Sequence, residues 1–266
     1  MKTSVDKVRS ADGTSIALEV AGDGSVVVLI GGAFNGRTTT SGLAQVLAPH
    51  YRAVTYDRRG RGESGDESVD DSVDREMADL RAVIGHLGAT ASLVGHSSGA
   101  VLALEAAIRR LPVDKVAAYE PPFVPEGSRP RPAEDVAERL LRLVKAGDRD
   151  GATALFQAEV VGLPPQMIEG MRQSEMWGFL TRLADSLPYD CALFEPGWPV
   201  PDSRLARIQV PTLVIAGSST FPWLGTAAQQ VADAVPGARF CSLEGQDHGV
   251  LQQPAALLAC LREFLG

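Results

Sequence analysis

Gly95-His96-Ser97-Ser98-Gly99 lies between an apolar run, Ala91–Val94, and a helix-forming stretch, Ala100–Arg110. This is G-x-S-x-G in a strand–turn–helix setting. A serine at the tip of so sharp a turn must adopt a strained backbone. Strand and helix then approach closely, so the positions two before and two after the serine must be small. Gly95 and Gly99 fill them. Ser98 does not fit this frame, because it would need glycines at His96 and Ala100. A glycine–serine turn without chemistry is the bland alternative; the flanking strand and helix favour a nucleophile at Ser97.

The pattern around this motif is an alternation of strands and helices. Lys7–Arg9 and Ser15–Val20 flank a turn at 11–14 and predict a hairpin. Val26–Ile30 and Tyr51–Tyr56 are apolar runs of strand length, as in strands buried on both faces. Asp74–Leu87 carries apolar residues at helical spacing, and Val116–Tyr119 reads as a strand. From Pro121 to Arg207 no strong strand is visible, and Ala133–Val144, Ala152–Val161 and Met167–Leu187 read as helical. Alternation then resumes with Val210–Ala216, Thr226–Val235, Arg239–Leu243 and Pro254–Leu265. These elements imply a mostly parallel sheet covered by helices on both faces, with a helical insertion over one end. The predicted core is 1–120 with 208–266, and the predicted cap is 121–207. Ligand sites in such sheets lie at the carboxyl ends of the strands, so residues just after strands carry the most weight.

Gly31-Gly32-Ala33-Phe34-Asn35-Gly36 follows the first of the apolar strands. A loop of this kind can present backbone N–H groups to an oxyanion, together with the amide after the nucleophile. Ala33 and Ser98 are the candidate donors. Of the four histidines, His50 and His86 end helical segments and are expected at the surface. His96 is expected to pack or hydrogen-bond locally. His248 follows the last strand in a loop able to reach back to Ser97, which makes it the candidate general base. Gly60, Gly62 and Gly65 spell G-x-G-x-x-G after a strand. Arg58 and Arg59 before the motif, Glu63 inside it, and Glu67, Asp70, Asp71 and Asp74 beyond it argue against a pyrophosphate site. No acidic residue on a second strand about 20 positions on completes a nucleotide fingerprint.

The Gly95–Gly99 motif and the Tyr56–Ser64 segment (YDRRGRGES) resemble the α/β-hydrolase superfamily over nearly the whole chain. The resemblance implies an eight-stranded, mostly parallel sheet flanked by helices, a helical cap insertion, and catalytic residues in the order Ser…acid…His. It also implies that Asp57 is structural. Many members carry their acid after the penultimate strand, in a G-x-x-D arrangement. Here Gly217-Ser218-Ser219-Thr220 puts threonine in that slot. Threonine can accept a hydrogen bond from an imidazole but cannot offset its charge. Some members, including certain haloalkane dehalogenases, place the acid after the strand that follows the elbow helix. Glu120 ends that strand here and preserves the order Ser97…Glu120…His248. Asp247 is the second candidate acid, although side chains adjacent in sequence usually diverge.

A serine hydrolase for an ester, lactone or thioester of a small organic substrate is the first functional expectation. Acyl transfer, cyclisation, perhydrolysis or lyase chemistry on the same Ser and His is the second. The third is a non-catalytic ligand-binding protein, which Thr220 motivates. Phe34, Asn35, Trp177 and Trp223 are candidate substrate contacts. Met167, Met171, Met176, Phe179 and Leu180, at helical spacing, are expected to pack the cap against itself. Neither cofactor nor metal is expected. A net charge of -8, from 25 basic and 33 acidic residues, disfavours a nucleic-acid partner. No apolar stretch approaches membrane-spanning length and Met1–Ser10 shows no signal peptide. Three scattered cysteines fit free, buried thiols in a reducing compartment. The expected location is therefore cytoplasmic, with the oligomeric state open.

Overall fold

The computed structural model describes residues 5–66, 73–88 and 90–266. Glu67, Asp70 and Asp71, and the first four residues of the Met1–Ser10 stretch, lie outside the described residues. Eight strands form one sheet: β1 (Asp6–Arg9), β2 (Ser15–Ala21), β3 (Val26–Ile30), β4 (Arg52–Tyr56), β5 (Ala91–His96), β6 (Val113–Tyr119), β7 (Thr212–Gly217) and β8 (Arg239–Leu243). Their order is β1-β2-β4-β3-β5-β6-β7-β8. The β1/β2 and β2/β4 pairings are antiparallel, and every pairing from β4 to β8 is parallel. The sheet is thus eight-stranded and mostly parallel, as the sequence predicts.

Successive side chains of a strand point to opposite faces, and β3 shows the consequence. Val28 and Ile30 join one buried cluster, with Leu80 and Ile84 of α2 (Val73–Leu87) and Leu102 of α3 (Ser98–Ile108). Val27 and Leu29 join another, with Leu43 and Leu47 of α1 (Arg37–Leu47). Helices therefore cover both faces, and continuous apolar runs such as Val26–Ile30 are the sequence trace of that double burial.

Between β6 and β7 the chain is helical: α4 (Val136–Lys145), α5 (Arg149–Leu155), α6 (Pro165–Arg172), α7 (Glu175–Arg182), α8 (Leu187–Cys191) and α9 (Asp202–Leu205). The predicted helix Ala152–Val161 is two pieces, because α5 gives way to π-helix over Phe156–Val161. This block has its own apolar cluster, including Leu140, Phe156, Leu187 and Trp198, and it takes in Phe34 from the loop after β3. After β7 come α10 (Pro222–Ala234) and, beyond β8, α11 (Leu258–Leu265). No helix among the described residues is long and apolar enough to cross a membrane. All three cysteines are free; Cys191 is buried, whereas Cys241 and Cys260 are only half-buried, contrary to the expectation of three buried thiols.

Candidate active site

Sheet order reverses around β3, whose chain neighbour β4 lies on one side and β5 on the other. Crevices of open α/β sheets form at such points, beyond the carboxyl ends of the strands. Ile30 pairs with Gly95, so the loops after β3 and β5 emerge side by side. Ser97 sits at the tip of the second with φ 57° and ψ −125°. Backbone conformations of this kind cost about 1–3 kcal/mol and persist where the surroundings enforce them. The glycines enforce it. A Cβ on Gly95 would lie 2.3 Å from the Gly99 carbonyl oxygen, and one on Gly99 would lie 2.2 Å from that of Ile30. A Cβ on Gly32 would lie 2.6 Å from the Ser97 Cβ, so the loop after β3 passes directly against the serine.

Glu120, directly after β6, and Phe34, in the loop after β3, also have positive φ, 45° and 57°. Glu120 is fully buried, and its Oε2 lies 2.6 Å from His248 Nδ1. Thr220, in the slot where an acid was the commoner expectation, does not accept from the imidazole. Its hydroxyl donates to Glu120 Oε2 at 3.0 Å, and the Gly217 N–H donates to Oε1 at 2.8 Å. Asp247 turns elsewhere: its carboxylate accepts the Gly249 N–H at 2.8 Å, so it does not reach the imidazole. The loop carrying His248 is pinned at consecutive carbonyls. The Tyr119 hydroxyl donates to Asp247 O at 2.6 Å, and His96 Nε2 lies 2.8 Å from His248 O.

Burial, reinforced by the neighbouring His248, drops the His96 pKa to about 3. His96 is therefore neutral and leaves His248, whose ring centroid is 4.8 Å away, without a competing charge. Unfolded, His96 would take up a proton near 6.5. Between those values the unfolded chain binds the extra proton, so acid favours unfolding. The expected contribution is a loss of about 2 kcal/mol of stability between about pH 6.5 and about pH 4.5. Urea unfolding at both pH values checks it: His96→Asn should lose that much less than wild type across the interval, whatever its absolute stability.

Ser97, Ser98, Ala33 and His248 line one cavity of about 810 Å³. Among the described residues the Ala33 and Ser98 N–H groups have no hydrogen-bond partner. The Ser97 hydroxyl has none either, and such contacts often tighten only once substrate is bound. Phe34, Asn35 and Trp223 line the cavity. Trp177 does not: it is buried within the helical block, donating to Asp150 Oδ1 at 2.7 Å. Met176, Phe179 and Leu180 depart from the expected cap-only packing, because they line the cavity. Met176 and Phe179 are exposed there, and Met167 is exposed elsewhere.

The Tyr56–Ser64 loop supports segments that line the cavity. Asp57 is buried, accepts the Arg37 and Glu63 N–H groups and pairs with the Arg37 guanidinium, which is a structural role. Arg59 pairs with Asp79 and Asp12. Arg58 and Arg61 converge on Asp190 of α8 at 2.7 Å each. Arg58 also pairs with Glu76. The arginines of the G-x-G-x-x-G stretch thus serve internal carboxylates. Burial opposes charge on Asp190, but Arg61 and Arg58 outweigh it and hold the carboxyl below its usual range. Asp190 accepts the Ser98 hydroxyl at 2.6 Å, and Arg61 donates to the carbonyls of Gly32 at 2.6 Å and Asn35 at 3.1 Å. One buried ion cluster therefore grips both segments that carry the unpartnered amides. Sequence reasoning missed it, and no metal-binding group of three or more His, Cys, Asp or Glu occurs among the described residues.

A sequence profile of the alpha/beta hydrolase family matches residues 27–259. The chain belongs to that family. An alpha/beta hydrolase from Sphaerobacter thermophilus superposes with a TM-score of 0.91 at 42% identity, covering 98% of this chain and 100% of that one. Polyketide synthase ThaQ of Burkholderia thailandensis is 27% identical over 247 residues, which are 86% of this chain but 11% of the synthase. This alpha/beta hydrolase thus corresponds to a small part of that synthase's length. The putative carbamate hydrolase RutD of Agrobacterium fabrum is 25% identical over 244 residues, 83% of this chain and 85% of RutD. Membership of the family supports an enzyme of the hydrolase class.

Proposed function

We propose that the protein is a serine hydrolase that cleaves an ester, lactone or thioester of a small organic substrate through an acyl-enzyme on Ser97. The observation that carries this reading is the 2.6 Å contact of His248 Nδ1 with the buried Glu120, at a cavity shared by His248 and Ser97. With Nδ1–H donated to the carboxylate, Nε2 is the free base that takes the Ser97 proton. Ser97 Oγ attacks the carbonyl carbon, and charge moves onto the carbonyl oxygen. The Ala33 and Ser98 amides donate to that oxygen; one such donor is worth about 3 kcal/mol by deletion. His248 passes its proton to the leaving group, then activates the water that releases the acid. In this reading residues 121–207 cap the carboxyl edge of a core formed by 1–120 and 208–266. Three free thiols fit a cytoplasmic setting.

Labelling with a fluorophosphonate followed by intact-mass analysis tests the nucleophile. Wild type should take up one adduct and Ser97→Ala none. An unlabelled wild type, or a Ser97→Ala variant labelled as fast as wild type, overturns the reading.

A further inference from the structure

Gln157 is a largely buried polar residue of the cavity whose chemistry the triad does not use. It sits in the π-helical stretch Phe156–Val161 and lines the cavity together with Phe156, Val160 and Val161. Only 6% of the residue is exposed. Its backbone is fully engaged, since its carbonyl accepts the N–H groups of Gly162 at 3.1 Å and Leu163 at 2.9 Å. Among the described residues its side-chain amide has no partner. Of the other buried polar side chains at this cavity, Asp190 is held by two arginines and Ser98 by Asp190, while His96 uses Nε2 on the His248 carbonyl and leaves Nδ1 without a partner among the described residues. Nor is the segment loose. The Arg129 guanidinium donates to the carbonyls of Glu159, Val160 and Val161 at 2.8–2.9 Å, and it stacks 4.7 Å from the Trp223 ring centroid.

Once an apolar substrate seals the cavity, an amide left without a partner there would cost about 1–3 kcal/mol. Single π-helical turns inside helices recur at functional sites. The π-helical stretch is otherwise apolar where it lines the cavity, with Phe156, Val160 and Val161; Glu175 and Arg182 of α7 add charge elsewhere in the lining. An amide offers one acceptor and two donor hydrogens but no charge.

Building on the hydrolase reading, we infer that Gln157 is a specificity residue that hydrogen-bonds a neutral oxygen group of the substrate, a ketone or hydroxyl several bonds from the scissile carbonyl. The preferred substrates are therefore oxo- or hydroxy-substituted esters, lactones or thioesters rather than plain alkyl ones. Discrimination of this type exceeds what apolar pockets achieve, because the unsubstituted analogue leaves the amide unpaired.

The test uses matched aryl and alkyl esters in which one ketone is walked along the acyl chain or the alcohol chain, each beside its methylene partner. At one position wild type should favour the oxo ester at least about tenfold in kcat/KM, and Gln157→Leu should bring that ratio to within about threefold of one. The ratio should collapse through both a slower oxo ester and a faster plain ester. A wild type indifferent to the ketone at every position overturns the inference, as does a Gln157→Leu variant that keeps the preference. Calorimetry on Ser97→Ala separates this from failure of the serine mechanism. Suppose no ester is cleaved, yet Ser97→Ala binds an oxo ester at least about tenfold tighter than its partner and loses that preference with Gln157→Leu. Then the mechanism falls and the recognition stands. Equal binding of the pairs overturns the recognition.

Discussion

Replacing Ser97 by alanine should lower kcat/KM for any ester the protein hydrolyses by about 10⁴-fold or more, with KM little changed. In the proposed mechanism the serine hydroxyl supplies the attacking oxygen, and Ser97 shares its cavity with His248, Ala33 and Ser98. Residual turnover should come from binding and from the Ala33 and Ser98 amides acting on attack by water, which is why the loss is finite. The fold should survive, because the glycines at 95, 99 and 32 leave room for a Cβ at position 97 and the turn does not depend on the hydroxyl. A further consequence separates chemistry from structure. At φ 57° an L side chain is strained, so Ser97→Gly should melt higher than Ser97→Ala by the equivalent of about 1 kcal/mol. Both variants should be equally inactive. Activity within about tenfold of wild type in either one would assign the nucleophile elsewhere.

The elbow was legible because its constraint is local. Gly95, Ser97 and Gly99 are four residues apart end to end, and the clash that demands glycine lies within the same turn or against the strand beside it. The strands were legible for a similar reason, since burial on both faces writes itself as a run such as Val26–Ile30. Helix α1 left a weaker trace. It opens Arg37-Thr38-Thr39-Thr40-Ser41, a poor helix-forming stretch, and has no side-chain cap. Packing of Leu43 and Leu47 against the sheet holds it, and that is tertiary information. The switch from α5 to π-helix is equally silent in Ala152–Val161.

At the site, legibility followed the distance along the chain between partners. Strand ends pointed to Ser97, Glu120 and His248, because each strand's carboxyl end delivers its next residue to one crevice. The same logic could have pointed to Tyr119, whose hydroxyl anchors the histidine loop. Asp190 could not be found this way. It comes from α8, and its arginines stand 129 and 132 residues away on the loop after β4. Arginines in a glycine-rich loop carry no sequence sign of the buried carboxylates they serve. Trp177 illustrates the converse: a tryptophan expected at the substrate turns inward to Asp150 instead.

Glu120→Gln should lower kcat by about 10³- to 10⁴-fold with a small effect on KM. The replacement is isosteric, so the loss measures charge and hydrogen-bond polarity and not space. As a carboxylate, Glu120 accepts three donors: the Gly217 N–H, the Thr220 hydroxyl and His248 Nδ1–H. A glutamine can accept at one oxygen only. If that oxygen stays with Gly217, its NH₂ group faces the imidazole and drives the proton from Nδ1 to Nε2, the tautomer that cannot take the Ser97 proton. If it turns toward His248, the Gly217 N–H is left buried and unpaired, which costs about 1–3 kcal/mol of stability. Either way no negative charge balances the imidazolium formed in the transition state. Thr220 offers a direct check, since its hydroxyl already lies 3.0 Å from Glu120 Oε2. Thr220→Asp should restore at least about tenfold of the rate in the Glu120→Gln background, by returning a carboxylate to the same pocket. In the wild-type background it should slow the enzyme, because two carboxylates would then share one buried site and one of them would hold a proton. A Glu120→Gln enzyme within about tenfold of wild type would mean that His248 is oriented and neutralised by some other group.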